Sequence, residues 1–153
     1  MSGSSAVLTV ASPFYFDADF TVECWAELDV IDGTDPFPRL FTLFPADATT
    51  YTDAFLDIAL SGGFYMVLAG RLYGPAPMPS VGQWQHFAVT RAGSAVSFYI
   101  DGAIASTASY SGDIGTPTAV FRIGGSDPQF ISQSQWQGSI ADFRVVKGTA
   151  LYT

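Results

Sequence analysis

An all-β, antiparallel two-sheet β-sandwich is the fold class the sequence predicts, and three observations predict it. The first is composition. Val, Ile, Thr, Tyr, Phe and Trp abound, whereas the strong helix formers Lys and Glu are reduced to Lys147, Glu23 and Glu27, with 15 Gly and 9 Pro as punctuation. The second is the run FTVECWAELDV, Phe20 to Val30, which alternates with period two: Phe20, Val22, Cys24, Ala26, Leu28 and Val30 on one face, Thr21, Glu23, Trp25, Glu27 and Asp29 on the other. The third is GQWQHFAVTRAGSAVSFYIDGAIAST, Gly82 to Thr107, which has the pattern strand, turn, strand, turn, strand. Its Asp101-Gly102 pair suits a type I′ hairpin turn, where both central residues need φ > 0.

The remaining elements follow from alternation and turn residues. Ala6 to Val10 is a first strand ended by Ser12-Pro13, and Phe14 to Phe16 is a short extended piece. Ile31 to Arg39 is a loop broken by Gly33, Pro36 and Pro38. Leu40 to Phe44 is a strand, and Pro45 to Asp53 a polar loop. Phe55 to Leu60 and Phe64 to Ala69 pair across Ser61-Gly62-Gly63, and Arg71 to Tyr73 adds a short extended segment. Gly74 to Pro79 holds three prolines and is predicted to be a stiff surface connection. Trp84 to Arg91, Val96 to Ile100 and Ala103 to Thr107 are strands, with Ala92-Gly93-Ser94 as the first turn between them. Ser111 to Thr118 is a loop, Val120 to Ile123 a strand, Ser126 to Gln137 a polar loop, and Ser139 to Val146 the last strong strand.

At 153 residues without linker or repeat, the chain is expected to form a single domain over 1–153. No apolar run approaches the ~20 residues of a membrane-spanning helix, so no membrane association is expected. MSGSSAVLTV has neither a basic n-region nor a long apolar stretch and does not match a secretory signal. Fourteen acidic residues, twelve of them Asp, stand against six basic ones, giving a net charge of −8. Such a surface repels phosphate backbones, so nucleic acid is not an expected partner. Cys24 has no second cysteine to pair with and sits in an apolar alternation, as a buried inert thiol does.

Four pieces together resemble the laminin-G-like branch of the concanavalin A-like jelly rolls. They are DFTVECWAEL (Asp19 to Leu28), GQWQHFAVTRAGSAVSFYIDGAI (Gly82 to Ile104, a strand followed by a strand ending in Asp-Gly), FRIGG (Phe121 to Gly125) and GSIADFRVVKGTALYT (Gly138 to Thr153). Where the family often carries two adjacent Asp, this chain has Ala141 and then Asp142. The resemblance implies a jelly-roll sandwich. The closing segment looks most like versions in phage structural proteins. It implies a non-catalytic virion structural or surface protein, a capsid decoration or tail-fibre component. Such a protein would be made in a host cytoplasm, and its partners would be other virion proteins or copies of itself. The alternative is a lectin-like carbohydrate-binding module at an extracellular surface, with cell-surface glycans as partners; no cofactor is expected, Ca²⁺ being the one the resemblance allows.

No catalytic site is predicted. Glu23 and Glu27 share a face but lie four residues apart, ~13 Å by strand rise, beyond the ~5–9.5 Å of a glycosidase carboxylate pair. His86 is the one histidine and is expected to be packed and hydrogen-bonded. Asp142 and Arg144 share a strand face and are expected to pair. Glycan binding needs a flat aromatic with polar groups beside it; Phe130, Gln133, Gln135 and Trp136 in one loop, with Tyr51 and Trp25, are the candidates. The alternative for each aromatic is packing, with Trp25 and Trp84 between the sheets and Trp136 under its loop. Asp29, Asp32 and Asp35 flank Gly33 and offer the hard oxygen ligands Ca²⁺ prefers; the alternative is that they cap backbone amides.

Overall fold

The computed structural model of the chain describes residues 7–10, 14–30, 38–45, 54, 56–60, 63–125 and 135–153. These residues form no helix and thirteen strands. In order they are β1 (Leu8–Val10), β2 (Tyr15–Phe16), β3 (Phe20–Leu28), β4 (Arg39–Phe44), β5 (Leu56–Leu60), β6 (Phe64–Leu68), β7 (Arg71–Ala76), β8 (Trp84–Ala92), β9 (Ala95–Ile100), β10 (Ala103–Ser109), β11 (Ile114–Gly115), β12 (Val120–Ile123) and β13 (Gly138–Lys147). A six-stranded sheet runs β1-β12-β4-β5-β6-β7, a five-stranded sheet β10-β9-β8-β3-β13, and β11 pairs with β2. Every ladder is antiparallel. The expected sandwich is the fold observed.

The inward faces of the two large sheets meet in one core. Phe20, Val22, Cys24, Ala26 and Leu28 supply it from β3, as their alternation dictates, and Phe87, Val89, Val96 and Phe98 from β8 and β9. Rings interlock across the interface: Phe64 of the six-stranded sheet lies edge-on to Phe87 at 5.5 Å and to Phe98 at 5.4 Å, geometry that aligns ring edges with ring faces. Cys24 is buried here; burial, with the Glu23 carboxylate beside it, pushes its thiol up to about 12, as an inert thiol requires.

The Asp101-Gly102 turn has φ of 50° and 78° at its two residues, the type I′ geometry. Asp101 also closes the hairpin through its side chain, with Oδ1 accepting from the His86 amide at 2.8 Å and Oδ2 from Gln85 Nε2 at 2.9 Å. The strand β13 comes so close to β3 at Gly138 that a Cβ there would lie 1.9 Å from the Glu27 carbonyl oxygen. Only glycine fits.

Several expectations are corrected. The segment predicted as a proline-rich connection is partly strand: β7 runs through Gly74 and Pro75, tolerated because β7 is the outermost strand of its sheet. The turn between β8 and β9 is two residues, since Ala92 pairs with Ala95. The loop after Tyr110 contains β11. Asp142 does not pair with Arg144. A register shift between Ala141 and Arg144 puts Asp142 at φ 51° and exposed, and frees Arg144 to pair with Glu23 across the ladder.

One feature of the six-stranded sheet has no trace in the alternation. All residues of β4 and β5 are buried, on both faces. Thr42 and Asp57 point away from the core yet are inaccessible, Thr42 Oγ1 donates to the Gly125 carbonyl at 3.2 Å, and Arg39 forms a buried ion pair with Asp57. A second small apolar cluster of Phe44, Ala54 and Val67 lies on that side.

Candidate functional site

The outer face of the five-stranded sheet collects the chain's chemistry-bearing side chains. Alternation sends Thr21, Glu23, Trp25 and Glu27 outward from β3. Register then places them opposite Thr90, Ala88, His86 and Trp84 of β8, and opposite Val146, Arg144, Ala141 and Ser139 of β13. Two areas with different roles result.

At one area the chain's own end lies on the sheet. After Gly148, whose amide donates to the Asp19 carbonyl at 2.6 Å, the tail crosses β3 and β8. Thr21 Oγ1 donates to the Thr149 carbonyl at 3.1 Å and accepts from the Leu151 amide at 2.9 Å. Thr90 Oγ1 donates to the Tyr152 carbonyl at 3.0 Å. The Tyr152 ring lies 5.9 Å from both His86 and Tyr99. Its hydroxyl donates to Glu23 Oε2 at 2.6 Å.

Glu23 is the hub. Besides Tyr152, its carboxylate takes the Nε and Nη2 of Arg144 on Oε1 and meets His86 Nε2 at 3.2 Å on Oε2. Burial alone would push the carboxyl up; the Tyr152 hydroxyl, the Arg144 guanidinium and His86 outweigh it and hold it below its ordinary value. The same bond holds the Tyr152 phenol above its ordinary value. Glu23 is therefore a fixed anion and Tyr152 a fixed proton donor, which suits a lock on the tail. Because the folded value lies below the unfolded one, the stabilisation is complete above the unfolded carboxylate value, about 4.3, and is lost as pH falls through the folded value. Glu23→Gln is expected to cost about 2 kcal/mol at neutral pH. In urea unfolding across pH, the gap to the parent protein should close in acid; a pH-independent gap would show that Glu23 is not held as an anion.

The second area is half-exposed. Trp25 and Trp84 are 43% and 47% exposed. Trp84 stands directly opposite Glu27, and Trp25 opposite His86, whose ring is 5.4 Å away at 55°. The two indoles are therefore diagonal neighbours on one face, and diagonal positions are about 7–8 Å apart, within reach for large side chains. On the β13 side the opposing residues are Ser139 and Ala141, too small to cover an indole.

The sequence-derived candidates divide. Trp25 is on this face. The expectation that Trp25 and Trp84 pack between the sheets is corrected for both: their alternation partners Cys24, Ala26, Phe87 and Val89 take the inward positions. Trp136 is corrected as a ligand residue. It is 3% exposed, its Nε1 donates to the Glu27 carbonyl at 2.9 Å, and its ring lies 6.3 Å from Phe87 and 6.4 Å from Phe64. No face remains for a sugar. Gln135 is half-buried and its backbone bridges to Arg39 at the start of β4, in the other sheet. Asp29 is exposed at the end of β3, with its amide bonded to the Gln137 carbonyl at 2.8 Å. Tyr51, Phe130, Gln133, Asp32 and Asp35 lie outside the described residues, as do most of the loops that carry them. Among the described residues no three His, Cys, Asp or Glu side chains are grouped to hold a metal. The residue that sequence reasoning missed is Trp84. The alternation of Phe87 and Val89 against Trp84 and His86 was the signal.

Comparison with known proteins agrees with the fold. No curated protein sequence matches this chain. Among solved structures, a heptameric SAP-like pentraxin from Limulus polyphemus superposes with TM-score 0.63 at 16% identity, covering 95% of this chain and 71% of the pentraxin. The LG4-5 domains of the mouse laminin alpha1 chain give TM-score 0.62 at 14% identity, covering 92% of this chain and 38% of that one. The Trypanosoma rangeli sialidase in complex with sialic acid gives TM-score 0.64 at 15% identity, covering 84% of this chain and 20% of the enzyme. At these identities the likeness is one of fold, and the fold serves an enzyme as well as other proteins. The Laminin_G_3 family model matches residues 2–151, so the chain belongs to the concanavalin A-like lectin/glucanases superfamily.

Proposed function

We propose that this chain is a non-catalytic carbohydrate-binding module that holds a sugar chain on Trp25 and Trp84. The observation that carries the reading is the pair of half-exposed indoles side by side on one sheet face, with Glu27 between them. Exposed indoles offer the apolar face that a sugar ring stacks on, and a neighbouring carboxylate accepts from its hydroxyls. Glu23 is consumed by Arg144, Tyr152 and His86, which leaves Glu27 without a second glutamate at a catalytic spacing.

The test is retention on immobilised polysaccharides. The Trp25→Ala/Trp84→Ala variant should lose retention by at least about tenfold, since each stacked aromatic contributes on the order of 1 kcal/mol or more. Its melting temperature should stay within a few degrees of the parent's, because both side chains stand outside the core. Retention unaffected by the double substitution would overturn the reading.

A second reading, a virion structural or surface protein docking through sheet edges, is favoured by one observation. Leu8, Leu72 and Ile104 are exposed on β1, β7 and β10, each the outermost strand of its sheet. Absence of glycan retention together with co-sedimentation with capsids or tails would favour it over the first.

A further inference from the structure

Charge around the two indoles is predominantly acidic, with Arg144 as the one basic side chain on the same face. Glu27 stands directly across from Trp84 and two residues along β3 from Trp25, ~7 Å by strand rise, so its carboxylate is flanked by both rings. No hydrogen bond or ion pair holds it among the described residues, in contrast to Glu23. Asp29 follows at the end of β3, Asp142 bulges from β13 beside Ala141, and Asp101 sits in the turn next to His86. All three are exposed.

The other basic residues are elsewhere. Arg39 is paired with Asp57 within the six-stranded sheet, and Arg71 and Arg122 belong to that sheet too. Arg91 is bonded to the carbonyls of Gly93, Ser111 and Gly112. Lys147 lies over the Tyr15 ring, 4.9 Å from its centroid. Arg144 alone projects from the outer face; its guanidinium pairs with Glu23, two residues along β3 from Trp25, and its side chain stays 57% exposed. A chain with net charge −8 thus presents two indole faces, the aromatic surface that cations prefer most, around a carboxylate that no described residue pairs.

We infer that the Trp25–Glu27–Trp84 platform takes an amine-bearing sugar chain, a glucosamine-type polymer with protonated amines, in preference to neutral or uronic-acid chains. This rests on the carbohydrate-binding reading above and names its ligand class. The sugar rings stack on the indoles, the ammonium groups meet Glu27 and the ring faces, and the surrounding aspartates repel carboxylate-bearing chains.

The experiment is calorimetric titration with soluble glucosamine oligomers, their fully N-acetylated counterparts and uronic-acid oligomers, at a pH where the amines are protonated. Parent protein, Glu27→Gln and Trp25→Ala/Trp84→Ala are compared. The glucosamine oligomers should bind about three- to tenfold more tightly than the N-acetylated ones, and uronic-acid oligomers should bind least. Glu27→Gln should remove that preference, bringing the affinities for the amine-bearing and N-acetylated oligomers to within about twofold of each other. Added salt should weaken binding of the amine-bearing oligomers alone. Equal or tighter tryptophan-dependent binding of the N-acetylated or uronic-acid oligomers would overturn the inference while leaving the platform standing. Absence of tryptophan-dependent binding to any oligomer would overturn both. Tryptophan-dependent binding of a lysine-rich peptide, with none of the glucosamine oligomers, would overturn the sugar assignment in favour of a cationic protein partner.

Discussion

Trp136→Ala is expected to destabilise the domain by about 3–5 kcal/mol, the usual cost of emptying a core position of a large aromatic. The indole touches rings from both sheets, Phe64 from one and Phe87 from the other, and its N–H satisfies the Glu27 carbonyl on β3. Alanine leaves a cavity between the sheets and removes the buried donor. For a domain of this size the melting temperature should fall on the order of 10 °C. Glycan affinity of the protein that remains folded should be unchanged, because Trp25 and Trp84 lie on the other side of β3. Thermal unfolding and retention measured on the same sample separate the two effects. A variant that melts like the parent but no longer binds sugar would place Trp136 in the binding site.

Asp57→Ala should cost a similar amount. Asp57 is inaccessible and Arg39 nearly so, and truncating one partner of a buried ion pair leaves the other charge without its counterion, at about 3–5 kcal/mol. The joint replacement Arg39→Met/Asp57→Val should recover much of the loss, since it removes both charges together. Urea unfolding of the single and double variants checks this. A cost for Asp57→Ala below about 1 kcal/mol, the value of an exposed pair, would mean that water reaches the pair.

Much of this architecture was legible in the residues. The alternation in Phe20–Leu28 assigns each side chain to its observed face, and Asp101-Gly102 marks the turn it forms, because period-two burial and the φ > 0 requirement are local properties. What was not legible depends on contacts between distant segments. Whether β4 and β5 are covered on their outer face is decided by other parts of the chain, so Asp57 in a strand looks like a solvent-facing acid until Arg39 is placed beside it. The bulge that frees Arg144 for Glu23 is a matter of register, and no one-residue slip shows in SIADFRVV. The site divides the same way. Alternation puts Trp25 with Glu23 and Glu27, and Trp84 with His86, each strand by itself. Only the β3–β8 register makes the two indoles neighbours. Trp136 misleads because its neighbours in sequence are polar glutamines, while its neighbours in space are phenylalanines.

Solute quenching of tryptophan emission, with and without a retained oligosaccharide, bears on the platform without intermediaries. Three tryptophans emit, and their exposures of 43%, 47% and 3% for Trp25, Trp84 and Trp136 divide them cleanly. A neutral quencher should reach the first two in the free protein, and saturating oligosaccharide should shield both. In Trp25→Ala/Trp84→Ala the remaining emission should resist the quencher with or without sugar. An oligosaccharide that binds the parent protein yet leaves Trp25 and Trp84 as open to the quencher as before would contradict the proposal that sugars stack on this face.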